Sequence, residues 1–137
     1  MKTLIVEDVH DCLTTLETAF RISVFREPTP ITLSNDPANK LRDLGLDVAE
    51  TYKEAEQLVE SNSYDYVLLD HNLPYETGQD PEDKGYELIP KIRQRNPATI
   101  IIGTSSNLDV RDQAGLDHVL GKSDIDFMER LRDIYGD

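Results

Sequence analysis

The 137-residue chain is 38% apolar and 30% charged, a mixture that suits one globular domain with its own core. Its 27 acidic against 14 basic residues leave a net charge of -13, which disfavours direct contact with nucleic acid or with anionic membranes. Cys12 is the single cysteine and cannot form an internal disulfide; no apolar run approaches the ~20 residues of a membrane span, and the apolar part of MKTLIVEDV is too short for a signal peptide, so a cytoplasmic protein is expected.

In chain order, TLIV (3–6) reads as a first strand, too uniformly apolar to alternate and therefore buried on both faces. Leu13, Leu16 and Phe20 then share one helical face. Residues 21–45 are longer than a connection needs and read as a surface insertion, with an extra helix capped by Asp36, opened by Pro37 and ended by Gly45. DVAET (47–51) is a second strand. TYKEAEQLVE follows with a capping-box spacing, Thr51 to Glu54, and with Ala55, Leu58 and Val59 on its inner side.

YVLL (66–69) is a third strand that runs into a carboxylate, Asp70. Residues 75–84, YETGQDPEDK, form a polar, acidic loop expected to cover whatever lies at that strand's end. Leu88, Ile89 and Ile92 mark the next helix, TIIIGT (99–104) the fourth strand and HVLG (118–121) the fifth, with at most a short helix in SNLDVRDQAGLD between them. The last helix begins at Ser123, with Asp126 three residues on and Ile125, Met128, Leu131 and Ile134 facing inward. Five strand-helix units imply a doubly wound α/β fold, a five-stranded parallel sheet with helices on both faces and the whole of 1–137 as one domain. A site in such a fold lies at the carboxyl ends of the strands.

Those ends collect Glu7 and Asp8 after strand 1, Asp70 after strand 3, Thr104 and Ser105 at strand 4, and Lys122 after strand 5. Two or three carboxylates with open coordination suit Mg²⁺, or Mn²⁺ in its place. A strand-end carboxylate can attack phosphorus to form an aspartyl phosphate if cations neutralise the phosphoryl oxygens, and Lys122 would supply one such charge. Taken singly the residues have plainer roles: Glu7 and Asp8 favour the positive end of a helix, Asp70 suits a cap or turn, and Thr104 and Ser105 need no ligand. His10, His71 and His118 lack a shared metal-ligand spacing and read as solvent-exposed or locally bonded, and Cys12 as a partly buried small residue.

LIVED, VLLDHNLP, GYELIPKIR, IIIGTSS and VLGKS, in that order and at those strand ends, resemble the receiver domain of two-component response regulators over nearly the whole chain. The resemblance implies a flavodoxin-like sheet in the order 2-1-3-4-5. It implies Asp70 as phosphoacceptor, and a Mg²⁺ site of Glu7, Asp8, Asp70 and the backbone carbonyl of Asn72. Thr104 and Lys122, with Ser105 beside them, are then the phosphate contacts. The partners it implies are a histidine kinase or phosphotransfer protein and an unidentified downstream protein, with no nucleic acid and no membrane. Self-phosphorylation and autodephosphorylation at Asp70 are expected, without turnover of an external substrate.

The sequence departs from the family in three places. Ser123 stands where a proline usually follows the lysine. Val119, beside His118, stands where a Tyr or Phe usually acts as a rotating switch. The stretch from Thr104 to Lys122 is about one helical turn short. Output or gating is therefore assigned to Val119, His118, and Glu76 and Asp80 of the acidic loop. Three alternatives remain: a haloacid-dehalogenase-like phosphatase, in which the nucleophile comes first in the chain; a receiver-derived enzyme processing cyclic phosphate ends, which LDHNL resembles with Asn72 in place of Asp; and a pseudo-receiver that binds partners without phosphorylation. A chain ending at Asp137, just past its last helix, is expected to carry no effector domain.

Overall fold

The computed structural model describes residues 2–26, 36–104, 115–121 and 126–135. Strands β1 (Thr3–Val6), β2 (Asp47–Ala49), β3 (Tyr66–Leu69), β6 (Ile100–Gly103) and β7 (His118–Val119) form one parallel sheet in the spatial order β2-β1-β3-β6-β7. In chain order among the sheet strands that is 2-1-3-4-5, and the fold is the expected flavodoxin-like one. Helices α1 (His10–Ala19), α2 (Pro37–Asp43) and α5 (Phe127–Tyr135) cover one face, while α3 (Tyr52–Ser61) and α4 (Ile89–Arg95) cover the other.

The continuous apolar runs are explained by the pleat. Successive side chains of a strand point to opposite faces. Leu4 and Val6 of β1, Val67 and Leu69 of β3 and Ile101 of β6 enter the core under α3 and α4; Ile5, Leu68 and Ile102 enter the core under α1 and α5. All eight are at most 1% exposed, so no position on these strands is left for a polar residue until the strand ends. That restricts charge to the rim, where the site lies.

The local signals act as read, with one shift. Thr51 Oγ1 accepts from the Glu54 amide at 3.1 Å, but Glu54 reaches back to the amide of Glu50 (3.0 Å), one residue before the cap. Asp36 caps α2 through the Asn39 amide (3.2 Å), and Gly45 ends that segment with φ +94, a backbone angle that side chains other than glycine's resist.

Two expectations are corrected. Residues 21–45 are not a surface insertion throughout: α1 continues through one wider turn at Phe20–Val24, closed by Phe25 N to Phe20 O (2.8 Å), and Leu41 of α2 is fully buried with Leu13, Leu16 and Leu46. Ala38 and Leu41, with Val24 and Leu44 partly buried beside them, serve the core, while Ile22 and Phe25 stay exposed. The segment 75–84 is not a plain loop either, because β4 (Asn72–Leu73) and β5 (Glu82–Asp83) pair antiparallel and close a hairpin. Residues 105–114 and 122–125, which include Ser105, Lys122, Ser123 and Ile125, lie outside the described residues.

Candidate functional site

Parallel pairing aligns the strand ends. Val6 is level with Leu69, and Leu69 with Gly103, so the next residues, Glu7, Asp70 and Thr104, form a row across three adjacent strands. Backbone bonds continue the sheet through this row: Glu7 N to Ala49 O (2.9 Å), Asp70 N to Val6 O (3.1 Å), Thr104 N to Leu69 O (3.0 Å) and Leu120 N to Gly103 O (2.8 Å). Glu7 is fully buried, Asp70 is 4% exposed, Thr104 is buried and Asp8 is half-buried.

Glu7, Asp8 and Asp70 each offer a carboxylate oxygen, all within 4.8 Å of one another. At that separation and an effective dielectric of about 20, each pair of ionised groups repels by roughly 3.5 kcal/mol. A divalent cation converts that repulsion to attraction, and the all-oxygen donor set fits a hard cation such as Mg²⁺. The plainer role coexists with this one: the Val9 amide, at the start of α1, donates to Glu7 Oε2 at 3.2 Å.

The hairpin walls one side of the cluster. It is tied to the start of α3 by Tyr52 N to Pro74 O (2.9 Å), Lys53 N to Tyr75 O (3.0 Å) and a Lys53–Glu76 ion pair of 3.1 Å. The Tyr52 and Tyr75 rings stack at 5.9 Å, with the Lys84 ammonium over both. A cleft of about 240 Å³, lined by Asp8, Glu50, Thr51, Pro74, Thr77 and Gly78, lies between hairpin tip and acid cluster. Asn72 is exposed on β4 and Asp80 is exposed near the tip.

Val119 and His118 lie on the edge strand β7, which β6 separates from β3. Val119 is half-buried, and its carbonyl accepts from Arg130 of α5 at 2.7 Å; exposed His118 lines a hollow of about 380 Å³ with Arg130, Asp133 and Ile134.

Sequence reasoning missed three residues beside Asp70. A Cβ on Gly85 would lie 1.9 Å from the Asp70 carbonyl oxygen, so only glycine lets the turn Gly85–Leu88 start there. Of the two roles expected for the histidines, solvent-exposed or locally bonded, His71 takes the bonded one: it is 8% exposed, its ring stacks on Tyr86 at 4.3 Å, and the Tyr86 amide donates to His71 Nδ1 at 2.9 Å. A glycine opening the helix after a proline-containing acidic loop was the one available sign; nothing in the local pattern marks His71.

No family model and no curated protein matches the sequence. Solved structures do. The receiver domain of a sensor histidine kinase from Pseudomonas aeruginosa, with a magnesium ion coordinated in its active-site cleft, superposes with TM-score 0.64 at 23% identity, over 98% of this chain and 93% of that one. The non-phosphorylated HemR receiver domain of Leptospira biflexa gives 0.63 at 21%, over 98% and 94%. The response regulator TrrA of Thermotoga maritima, in complex with Mg²⁺ and BeF, gives 0.56 at 20%, over 98% and 96%. The chain has the fold of response regulator receiver domains. No helix among the described residues is long and apolar enough to cross a membrane.

Proposed function

We propose that residues 1–137 act as one phosphorelay receiver, in which Asp70 accepts a phosphoryl group from a histidine kinase or phosphotransfer protein in the cytoplasm and thereby changes the affinity for a downstream protein. The observation that carries the reading is the row of Glu7, Asp70 and Thr104, with three carboxylates within 4.8 Å on the strand ends of a receiver fold. The magnesium-bound and BeF-bound relatives support it.

An Asp70 carboxylate oxygen would form the new bond to phosphorus as the bond from phosphorus to the donor imidazole breaks, the electron pair leaving with that imidazole. Glu7, Asp8, Asp70 and the Asn72 carbonyl would hold Mg²⁺. When bound, the ion supplies positive charge opposite the phosphoryl oxygens. Thr104 would donate a hydroxyl hydrogen bond to one of those oxygens, with Lys122 and Ser105 as further contacts.

Output is assigned to the hairpin, Glu76 and Asp80 included, rather than to Val119 and His118, because position 119 has no ring to turn. Intact mass after incubation with acetyl phosphate and Mg²⁺ tests the acceptor: one base-labile phosphoryl group is expected on the wild type and none on Asp70→Asn. Equal labelling of the variant ends the assignment.

A further inference from the structure

We infer that His71 is a positioning residue for the metal and phosphoryl site, acting as the cap of the helix that follows the hairpin. This rests on the receiver reading above. The first amides of any helix lack partners within it and must find acceptors elsewhere. Here Lys84, at the cap position, supplies no side-chain acceptor. Three successive amides turn to a residue far earlier in the chain: Lys84 N and Gly85 N donate to the His71 carbonyl at 2.9 and 2.7 Å, and Tyr86 N donates to His71 Nδ1 at 2.9 Å. One buried residue thus accepts from three donors with its backbone and its ring, the Lys84 amide being shared with the Glu82 carbonyl (2.9 Å). The Tyr86 ring stacked on the imidazole, and the close approach of Gly85 to the Asp70 carbonyl, leave His71 little room to turn.

The position of His71 turns this cap into a device. Its neighbour on one side is Asp70, and on the other is Asn72, whose carbonyl is the assigned fourth oxygen of the cation site. Holding the His71 carbonyl fixes the 71–72 peptide plane, and holding its ring fixes the residue itself, so the Cα atoms from which the Asp70 side chain and the Asn72 carbonyl project are both anchored. Partners that orient ligands without touching the metal commonly change affinity by about 10–100-fold when removed. A hydrophobic residue at 71 would fill the same space and stack on Tyr86, but would leave the Tyr86 amide buried without this acceptor.

The test separates the acceptor from the ring. His71→Asn places an oxygen on Cγ, where Nδ1 stands, and removes the ring. His71→Phe keeps a ring on Tyr86 and removes the acceptor, and His71→Leu repeats that removal without a ring. Mg²⁺ affinity is read by calorimetry on the unphosphorylated protein, with phosphoryl uptake from acetyl phosphate alongside. The Phe and Leu variants should bind Mg²⁺ about tenfold or more weakly, while Asn stays within about threefold of wild type, whatever the order of their Tm values. Wild-type affinity in Phe or Leu, or an equal loss in Asn, overturns the inference. A wild type that neither binds Mg²⁺ nor takes up phosphate overturns the receiver reading first, and this inference with it.

Discussion

Gly85→Ala gives a direct measure of how tightly the helix start is pressed against the candidate phosphoacceptor. The added methyl carbon would meet the Asp70 carbonyl oxygen at 1.9 Å and the Asp70 carbonyl carbon at 2.9 Å. Ordinary carbon–oxygen contact is about 3.3 Å, so helix or strand end must move by more than about 1 Å. Both obstacles are backbone, and no rotamer change relieves them. Overpacking of this kind costs about 1–3 kcal/mol, occasionally more, and the absence of a flexible neighbour puts this case at the upper end. For a chain of this size that is on the order of 4–12 °C in Tm.

Gly45→Ala is the control. Its Cβ would have nothing within 4 Å, and its φ of +94 costs only backbone strain, about 1–2 kcal/mol. Both variants should melt lower by thermal unfolding followed by circular dichroism. Only Gly85→Ala should also weaken Mg²⁺ binding, because the atom it displaces belongs to Asp70. A Gly85→Ala protein that melts as wild type, or that loses stability without any change in Mg²⁺ affinity, would refute the argument that this helix start sets the geometry of the site.

Three further outcomes are expected. Mg²⁺ should raise the Tm by preferential binding to the folded state, by the equivalent of about 2.7 kcal/mol at a hundredfold excess over Kd, and Asp8→Asn should remove most of the rise; an unchanged rise places the ion elsewhere. Lys122→Ala should weaken binding of a beryllofluoride phosphoryl mimic more than Thr104→Ala, since it deletes a full charge where the other deletes one hydroxyl, and titration of both variants decides the order. Burial alone would raise the Asp117 carboxyl, but the Ile101 amide (2.8 Å) and the hydrogen bond and charge of Arg93 (2.8 Å) together hold it below its usual value. A depressed folded pKa contributes stability that is present above the unfolded value, about 3.9, and lost as pH falls through the folded one. Asp117→Asn should therefore lose less Tm than wild type between pH 5 and the acid limit, and parallel Tm profiles would remove Asp117 from the acid response.

Much of the fold was legible because it rests on local chemistry. The unbroken apolar runs of β1, β3 and β6 required burial on both faces, and hence helices on both sides of a parallel sheet. Thr51 and Asp36 acted as caps because a side-chain oxygen next to unpaired amides depends only on near neighbours. The candidate acids were readable for a related reason: Asp70 interrupts an apolar run at the point where the core ends.

What the sequence could not give depends on pairs far apart in the chain. The row of Glu7, Asp70 and Thr104 exists only through strand register, which the apolar pattern suggests but hydrogen bonding between strands decides. The burial of Leu41 inside a proline-rich stretch, and the pairing of 72–73 with 82–83, are set by what the rest of the chain leaves uncovered. His71 is the clearest case. Its neighbours in sequence describe an ordinary strand exit, and its role follows from three amides that only the closure of the hairpin brings within 3 Å of it. Periodicity and capping are written in adjacent residues; the satisfaction of buried donors by a distant acceptor is a property of the assembled molecule.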